Sequence, residues 1–303
     1  MRADGGPPLP VRDGLGPARV RIEPGSQATT MFEYLTERFP GTGEFWVGES
    51  SRGHVVDQHG RELSAATPYR PGRIVYYYRE PAPEPRVPFE LTVLHRDENL
   101  VAVDKPHFLA TIPRGQHVVE TALVRARRQT GNMNLSPAHR LDRMTAGVLV
   151  FVAQPTLRQA YQELFAQRAV TKTYEAIALH DPAVATPVTV RSRIVKQSGV
   201  MVAREVPGEP NSETHIDLAE VRDRYARYAL RPVTGKTHQL RLHMASLGLP
   251  IRGDNYYPAY RPAARDDFGD PLRLLAREIA FTDPVTGEPR RFRSSQDLEF
   301  PGG

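Results

Sequence analysis

The sequence predicts an α+β fold: a mixed, mostly antiparallel sheet flanked by helices, with a small N-terminal accessory segment. Three observations predict it. Strand-like segments outnumber helical ones, and their connections vary too much for regular βαβ winding. The all-apolar run 148–152 reads as a buried central strand. The sequence DPVTGE at 283–288 reads as a hairpin turn between strands near 274–281 and 290–292. A chain of 303 residues is long enough for one large domain, or for a large domain plus a small appendage.

In order along the chain, residues 30–39 form a helix, and short strands follow at 53–57 and 73–78, the second introduced by the turn Pro71-Gly72. This segment is too small for a rich core. Four prolines in the ten residues 79–88 make a stiff, extended connection, which divides the chain into 1–80, a linker 81–88 and a larger segment 89–303. The larger segment opens with strands at 91–95 and 100–104, joined by a polar turn, and a helix at 119–129. Pro155 opens a second helix, in which Leu157, Ala160, Tyr161, Leu164 and Phe165 follow helical spacing. Strands are expected at 173–179, 188–194, 214–221 and 225–232. A last helix runs from 237 to 247, with Thr237 as its N-cap, and stops at Gly248.

Composition narrows the function. Hydrophobic residues at 40% and charged residues at 25% favour a packed core over disorder. The net charge of +5 suits a polyanionic partner. Of the 40 basic residues only Lys105, Lys172, Lys196 and Lys236 are lysines. Arginine suits phosphates and stacks on bases, although a GC-rich genome also favours arginine codons. The absence of cysteine excludes disulfides, thiolate nucleophiles and cysteine-based zinc sites. The Gly- and Pro-rich start, residues 1–16, does not read as a signal peptide, and no apolar run approaches the ~20 residues of a membrane span. A cytoplasmic protein, without membrane association, is expected.

Three segments carry chemistry. In His139-Arg140-Leu141-Asp142-Arg143-Met144-Thr145-Ala146-Gly147 a carboxylate sits between two arginines at the mouth of a sheet, where it can serve as nucleophile or base; a surface ion pair or a turn-capping Asp would read the same way. In Lys172-Thr173-Tyr174 a tyrosine enters a strand, either half-buried or offering a flat face to a base. In Gly235-Lys236-Thr237-His238-Gln239-Leu240-Arg241-Leu242-His243 the cation Arg241 stands in a first helical turn, where the dipole disfavours it. It either has a fixed anionic partner or is exposed at a small cost. His238 and His243 lie five apart rather than the four that align two imidazoles for zinc. Leu230 stands where a P-loop needs glycine, which excludes that motif. The acids of 266–270 lack calcium-loop spacing and read as a solvated loop.

Together these segments resemble the RluA-type family of RNA pseudouridine synthases. HRLDRMTAGVLVF resembles its aspartate motif, KTYEAIA its tyrosine motif, GKTHQLRLHMASLGLPIRGDNYY its third motif and VAVDKPHFLATIP its opening strand and loop. Order and spacing agree over roughly residues 88–293. The resemblance implies that Asp142 is the essential catalytic aspartate and that Arg241 pairs with it. It implies that Tyr174 stacks on the target uracil as a candidate proton acceptor, and that Arg140 fills the space left by a flipped nucleotide. It places His139, Lys105, Lys172, Thr237 and Leu240 at the substrate. It implies a monomer acting on structured ribosomal or transfer RNA, without metal or other cofactor. Met144, Ala146, Lys236, His107, Phe108 and Leu275 depart from the family pattern, and none belongs to the expected catalytic set. A non-catalytic RNA-binding or assembly factor is the competing expectation; a metal-dependent nuclease using the 266–270 acids is a third.

Overall fold

A computed structural model describes residues 7–262, 264 and 266–301. The first six residues of the expected non-signal start lie outside the described residues. The chain divides into two compact units: Met1–Glu84 with Arg127–Met133, and Pro85–Ala126 with Asn134–Gly303. The division after Glu84 falls inside the proline-rich stretch, and a short return, 127–133, joins the first unit.

The first unit contains β1 (Ala18–Arg21), α1 (Met31–Arg38), α2 (Gly43–Ser51), β2 (Val55–Asp57) and β3 (Ile74–Tyr77), with the strands ordered β1-β3-β2. Helix α1 starts at a capping box: Thr30 accepts from Glu33 N, and the Glu33 side chain accepts from Thr30 N. Contrary to the expectation of a poor core, this unit buries its own cluster, including Ile22, Met31, Leu35, Trp46, Val55 and Val75. The missed helix α2 supplies Trp46, which is 1% exposed. Two glycines and three β-branched or hydroxyl residues in GEFWVGESS hide its helical character.

The second unit contains β4 (Thr92–Arg96), β5 (Leu100–Lys105), α3 (Ala122–Thr130), β6 (Ser136–Pro137), β7 (Ala146–Val152), α4 (Arg158–Ala166), β8 (Thr171–Leu179), β9 (Val188–Val195), β10 (Arg204–Val206), β11 (Ser212–Arg222), β12 (Tyr225–Pro232), α5 (Gln239–Ser246), β13 (Leu274–Thr282) and β14 (Pro289–Arg293). The last turn of α3 belongs to the first unit. Eleven strands form one sheet, ordered β10-β9-β11-β12-β8-β13-β7-β5-β4, with β14 on β13 and β6 on β7. Among the described strands only β7 and β13 pair in parallel, so the fold is α+β with a mixed, mostly antiparallel sheet.

The apolar run in β7 is buried on both faces. Leu149 and Phe151 enter the core cluster that also holds Leu240 and Met244, while Val148, Val150 and Val152 pack against Tyr161, Phe281 and Phe292 on the other face. Gly147 makes the parallel junction possible. Its φ is +108°, and a Cβ there would stand 2.2 Å from the Ala276 carbonyl oxygen. Two family departures meet at this junction, because Ala146 and Leu275 are register partners and both are fully buried.

Candidate active site

Asp142 stands in the turn that feeds β7, where Thr145 N donates to its carbonyl at 3.1 Å. Residues 105–111 buckle this turn in place. Thr111 Oγ1 donates to Leu141 O (2.7 Å) and accepts from Leu141 N (3.2 Å). Lys105, fully buried, donates through Nζ to the carbonyls of Pro106, Leu109 and Arg143. His107 Nδ1 donates to Met144 O at 2.7 Å. Burial pushes the Lys105 ammonium down to about 7, against the pull of the Asp142 charge. The Lys105–Pro106 loop, expected to line the substrate pocket, therefore acts on the backbone around Asp142 instead.

The Asp142 side chain is 33% exposed and faces a cavity of about 110 Å³. Arg140, Lys172, Tyr174, His238, Leu240 and Arg241 share that cavity. No described residue hydrogen-bonds the Asp142 carboxylate. The Arg241 guanidinium, through Nη1, and the His238 ring, through Nε2, each stand 3.9 Å from Oδ2. Buried or half-buried polar oxygens are normally satisfied, so these open lone pairs are available to a ligand.

Arg241 has a stronger partner than the one expected. Its Nε and Nη2 form a fork on Asp254, at 2.7 and 2.5 Å, and both side chains are nearly fully buried. Asp254 also accepts from the backbone N–H groups of Tyr256 (2.7 Å) and Tyr257 (3.0 Å). Burial alone would lower the Arg241 pKa; the Asp254 hydrogen bonds and charge, helped by Asp142, outweigh it and raise it. The Tyr256 ring lies 4.5 Å from the guanidinium carbon. The anion inferred from the first-turn cation is thus chiefly Asp254, and Asp142 is a second, longer contact. The fork occupies one edge of the guanidinium, Nε and Nη2, and leaves Nη1 towards Asp142.

Tyr174 sits in β8 between Leu230 of β12 and Ala276 of β13, packed against the main core. Burial, then the Asp142 charge, raises its phenol pKa, so the ring is neutral. Lys172 lies two residues before it and reaches Thr234 O at 3.4 Å. Leu240 is 7% exposed and lines the cavity together with Leu141 and Leu274, while Arg140 is exposed at the rim.

Two further residues expected at the substrate lie elsewhere. His139 is packed by its ring on Phe165 at 4.6 Å and accepts through Nε2 from Val150 N. Burial pushes its pKa down to about 3, so it is a neutral acceptor. Thr237 is exposed and does not line the cavity. Nor is it the N-cap of α5, which starts two residues later, after His238 takes the left-handed conformation at φ 58°. Gln239 replaces a side-chain cap. Its Oε1 accepts from Lys236 N and Thr234 Oγ1, and its Nε2 donates to Glu213 O and Thr214 Oγ1. His243 faces away from His238, bonded to Thr214, Ser192 and Ser212. Among the described residues, no three His, Asp or Glu side chains converge as metal ligands. No described helix is long and apolar enough to cross a membrane. The sequence reading missed Asp254, His238 and Gln239 as parts of the site. Asp254 lies within the third motif, where the local signal is Gly253 before it, whose φ is +78° and where a Cβ would stand 2.3 Å from Pro271 O.

Residues 99–246 match the family described as RNA pseudouridylate synthase. The chain is 30% identical over 223 residues to the dual-specificity RNA pseudouridine synthase RluA of Haemophilus influenzae, covering 69% of this chain and 94% of that protein. The chain belongs to the RluA-type family of RNA pseudouridine synthases. It is therefore an isomerase. Another relative is the tRNA pseudouridine synthase C of Vibrio cholerae, 31% identical over 230 residues, covering 70% of this chain and 93% of that protein. An uncharacterized RNA pseudouridine synthase of Synechocystis is 30% identical over 239 residues, covering 75% and 79%. Among solved structures, human RNA pseudouridylate synthase domain containing 4 superposes with a TM-score of 0.54 at 26% identity, covering 68% of this chain and 88% of that one.

Proposed function

We propose that this pseudouridine synthase converts particular uridines of ribosomal or transfer RNA, with Asp142 as the catalytic carboxylate acting on a nucleotide flipped out of the RNA. The observation that carries this reading is the open Asp142 carboxylate. It is held by a pinned backbone at a small cavity, and among the described residues no group hydrogen-bonds its oxygens. A glycosidic carbon inside folded RNA is out of reach of such a group, so the nucleotide has to leave its stack. Asp142 then attacks the sugar or deprotonates it, and the freed uracil turns and rejoins through C5.

Arg241, fixed by Asp254, orients Asp142. Tyr174 offers the face on which uracil stacks. Its raised pKa makes it a poor proton acceptor, which favours the stacking role over the base role. Leu240 and Lys172 line the place of the uracil, and Arg140 at the rim reaches the gap left in the RNA. Isomerisation moves one bond with no net oxidation, so the reaction calls for no redox cofactor. One relative's name supplies transfer RNA, ribosomal RNA is part of the proposal, and the reading has the enzyme act as a monomer in the cytoplasm.

The test compares the wild type with Asp142→Asn on ribosomal and transfer RNA transcripts. The substitution is expected to lower turnover by roughly 10²–10⁴-fold or more while RNA affinity stays within a few-fold. A protein that binds RNA but isomerises none, wild type included, would instead be a non-catalytic binding factor.

A further inference from the structure

His238 has no part in the reaction described so far, yet three features place it there. Its backbone is left-handed (φ 58°, ψ 18°), a conformation uncommon outside glycine and often held at functional sites. Its side chain lines the same cavity as Asp142 and Tyr174. Its two ring nitrogens have different surroundings: Nδ1 lies 2.9 Å from Tyr257 Oη, while Nε2 has no hydrogen-bond partner among the described residues and stands 3.9 Å from Asp142 Oδ2.

The Tyr257 hydroxyl decides the tautomer. It carries one proton and two lone pairs. Its contact with Ala203 O, at 3.0 Å, uses the proton, since a carbonyl only accepts. Ala203 N donates to one lone pair at 2.9 Å. The remaining lone pair accepts from His238, so the imidazole proton sits on Nδ1. Nε2 is left bare on the Asp142 side.

Among the titratable cavity side chains near Asp142, this lone pair is the one without another task. Arg140, Lys172 and Arg241 are donors, Asp142 is occupied at the sugar, and Tyr174 is a neutral phenol. We propose that His238 is a second catalytic residue, whose Nε2 removes the C5 proton of the uracil after C5 has joined the sugar. The inference rests on the proposed isomerisation at this cavity. At that stage C5 carries both its hydrogen and the new bond to C1′, and C6 is doubly bonded to N1. The C5–H bond breaks and its proton goes to Nε2. Its electron pair becomes the C5–C6 double bond, and the C6–N1 π pair moves to N1, which takes a proton from water. The imidazolium returns its proton to water, so atoms and charge balance over the cycle.

The groups facing His238 are Asp142, Arg241, Asp254, Lys196, Tyr256 and Tyr257. Burial, opposed by the Asp142 charge, holds its pKa below the ordinary 6.5, which keeps the base neutral at physiological pH.

The experiment uses the full chain and an RNA transcript whose target uridine carries hydrogen or deuterium at C5, under single-turnover conditions. His238→Asn is the chosen variant, because asparagine tolerates the left-handed backbone and its amide can keep the bond to Tyr257. The wild type should form pseudouridine with little isotope effect if proton removal is fast. His238→Asn should be slowed by about 10²-fold or more and show a clear primary isotope effect, because C5–H cleavage now limits the rate. Tyr257→Phe, which frees the tautomer, should show a weaker version of the same effect. Rates slowed equally for both isotopes would mean a structural role and overturn the proposal, as would an unchanged rate. If His238→Asn fails to melt cooperatively, Tyr257→Phe alone decides by the same criterion. A wild type that makes no pseudouridine would overturn the isomerisation reading and this proposal with it, whereas product without the isotope signature overturns His238 alone.

Discussion

At the scale of single residues, the site is a carboxylate left open beside an arginine that is not. The Arg241–Asp254 fork is dry and bidentate, and removing one partner of such a pair leaves a buried charge unpaired. Asp254→Ala should therefore cost about 3–5 kcal/mol of stability in a denaturant melt. Arg241→Lys should lower activity as well, because an ammonium cannot bridge Asp254 and Asp142 together. The neutral Tyr174 ring predicts a split that steady-state kinetics can check: Tyr174→Phe keeps most activity, and Tyr174→Ala loses most of it. Loss of activity in the phenylalanine variant would return the phenol to the chemistry. Asp142, Tyr174 and Arg241 were legible in the sequence because each lies in a contiguous motif. Asp254 shares the third motif with Arg241, but its role was not legible, because their meeting depends on a loop turned by Gly253 rather than on any period. Lys105 and His139 were placed at the substrate by the family resemblance. A motif match does not say which side of the backbone a side chain takes. Lys105 went to three carbonyls, and His139 to the Phe165 ring.

At the scale of elements, β7 and β13 form the parallel seam that carries Asp142 to the cavity. The seam needs Gly147, since any Cβ would collide with the Ala276 backbone. Gly147→Ala should destabilise by more than about 1 kcal/mol, read as a lowered Tm, because the native φ is forbidden to alanine as well. The strands of the second unit were visible through apolar runs bounded by turn residues, as with β7 and the β13–β14 hairpin. The short β6 and β10 were not, since two or three residues carry no pattern. The start of α5 was misjudged by two residues. Thr237 has the chemistry of a cap, but the Gln239 amide, satisfied at four contacts, sets the start instead. The paired departures at Ala146 and Leu275 read separately in the sequence, and the register makes them one apolar contact.

At the scale of the whole molecule, charge governs both stability and RNA capture. Burial raises the Glu175 pKa, but hydrogen bonds from Arg277 and Arg227 and their charges outweigh it, so the folded value lies below the ordinary 4.5. The unfolded chain therefore takes up this proton first as pH falls. That stability is present above pH 4.5 and is lost as pH drops through the lowered folded value. A Tm series in acid should show this loss, and Glu175→Gln should flatten it. The +5 charge and the arginine-rich composition predict that RNA affinity falls steeply with salt, linearly in a plot of log affinity against log salt. A flat salt response would place the affinity in base contacts rather than phosphates.

The most direct test of the central claim is a pseudouridine map of total RNA from cells with and without this gene, with the wild type and Asp142→Asn returned in parallel. The account predicts that one or a few ribosomal or transfer RNA sites lose pseudouridine without the gene and regain it only with the wild type. Sites restored equally by Asp142→Asn would contradict it, because the open carboxylate would then not be the group that acts on the sugar.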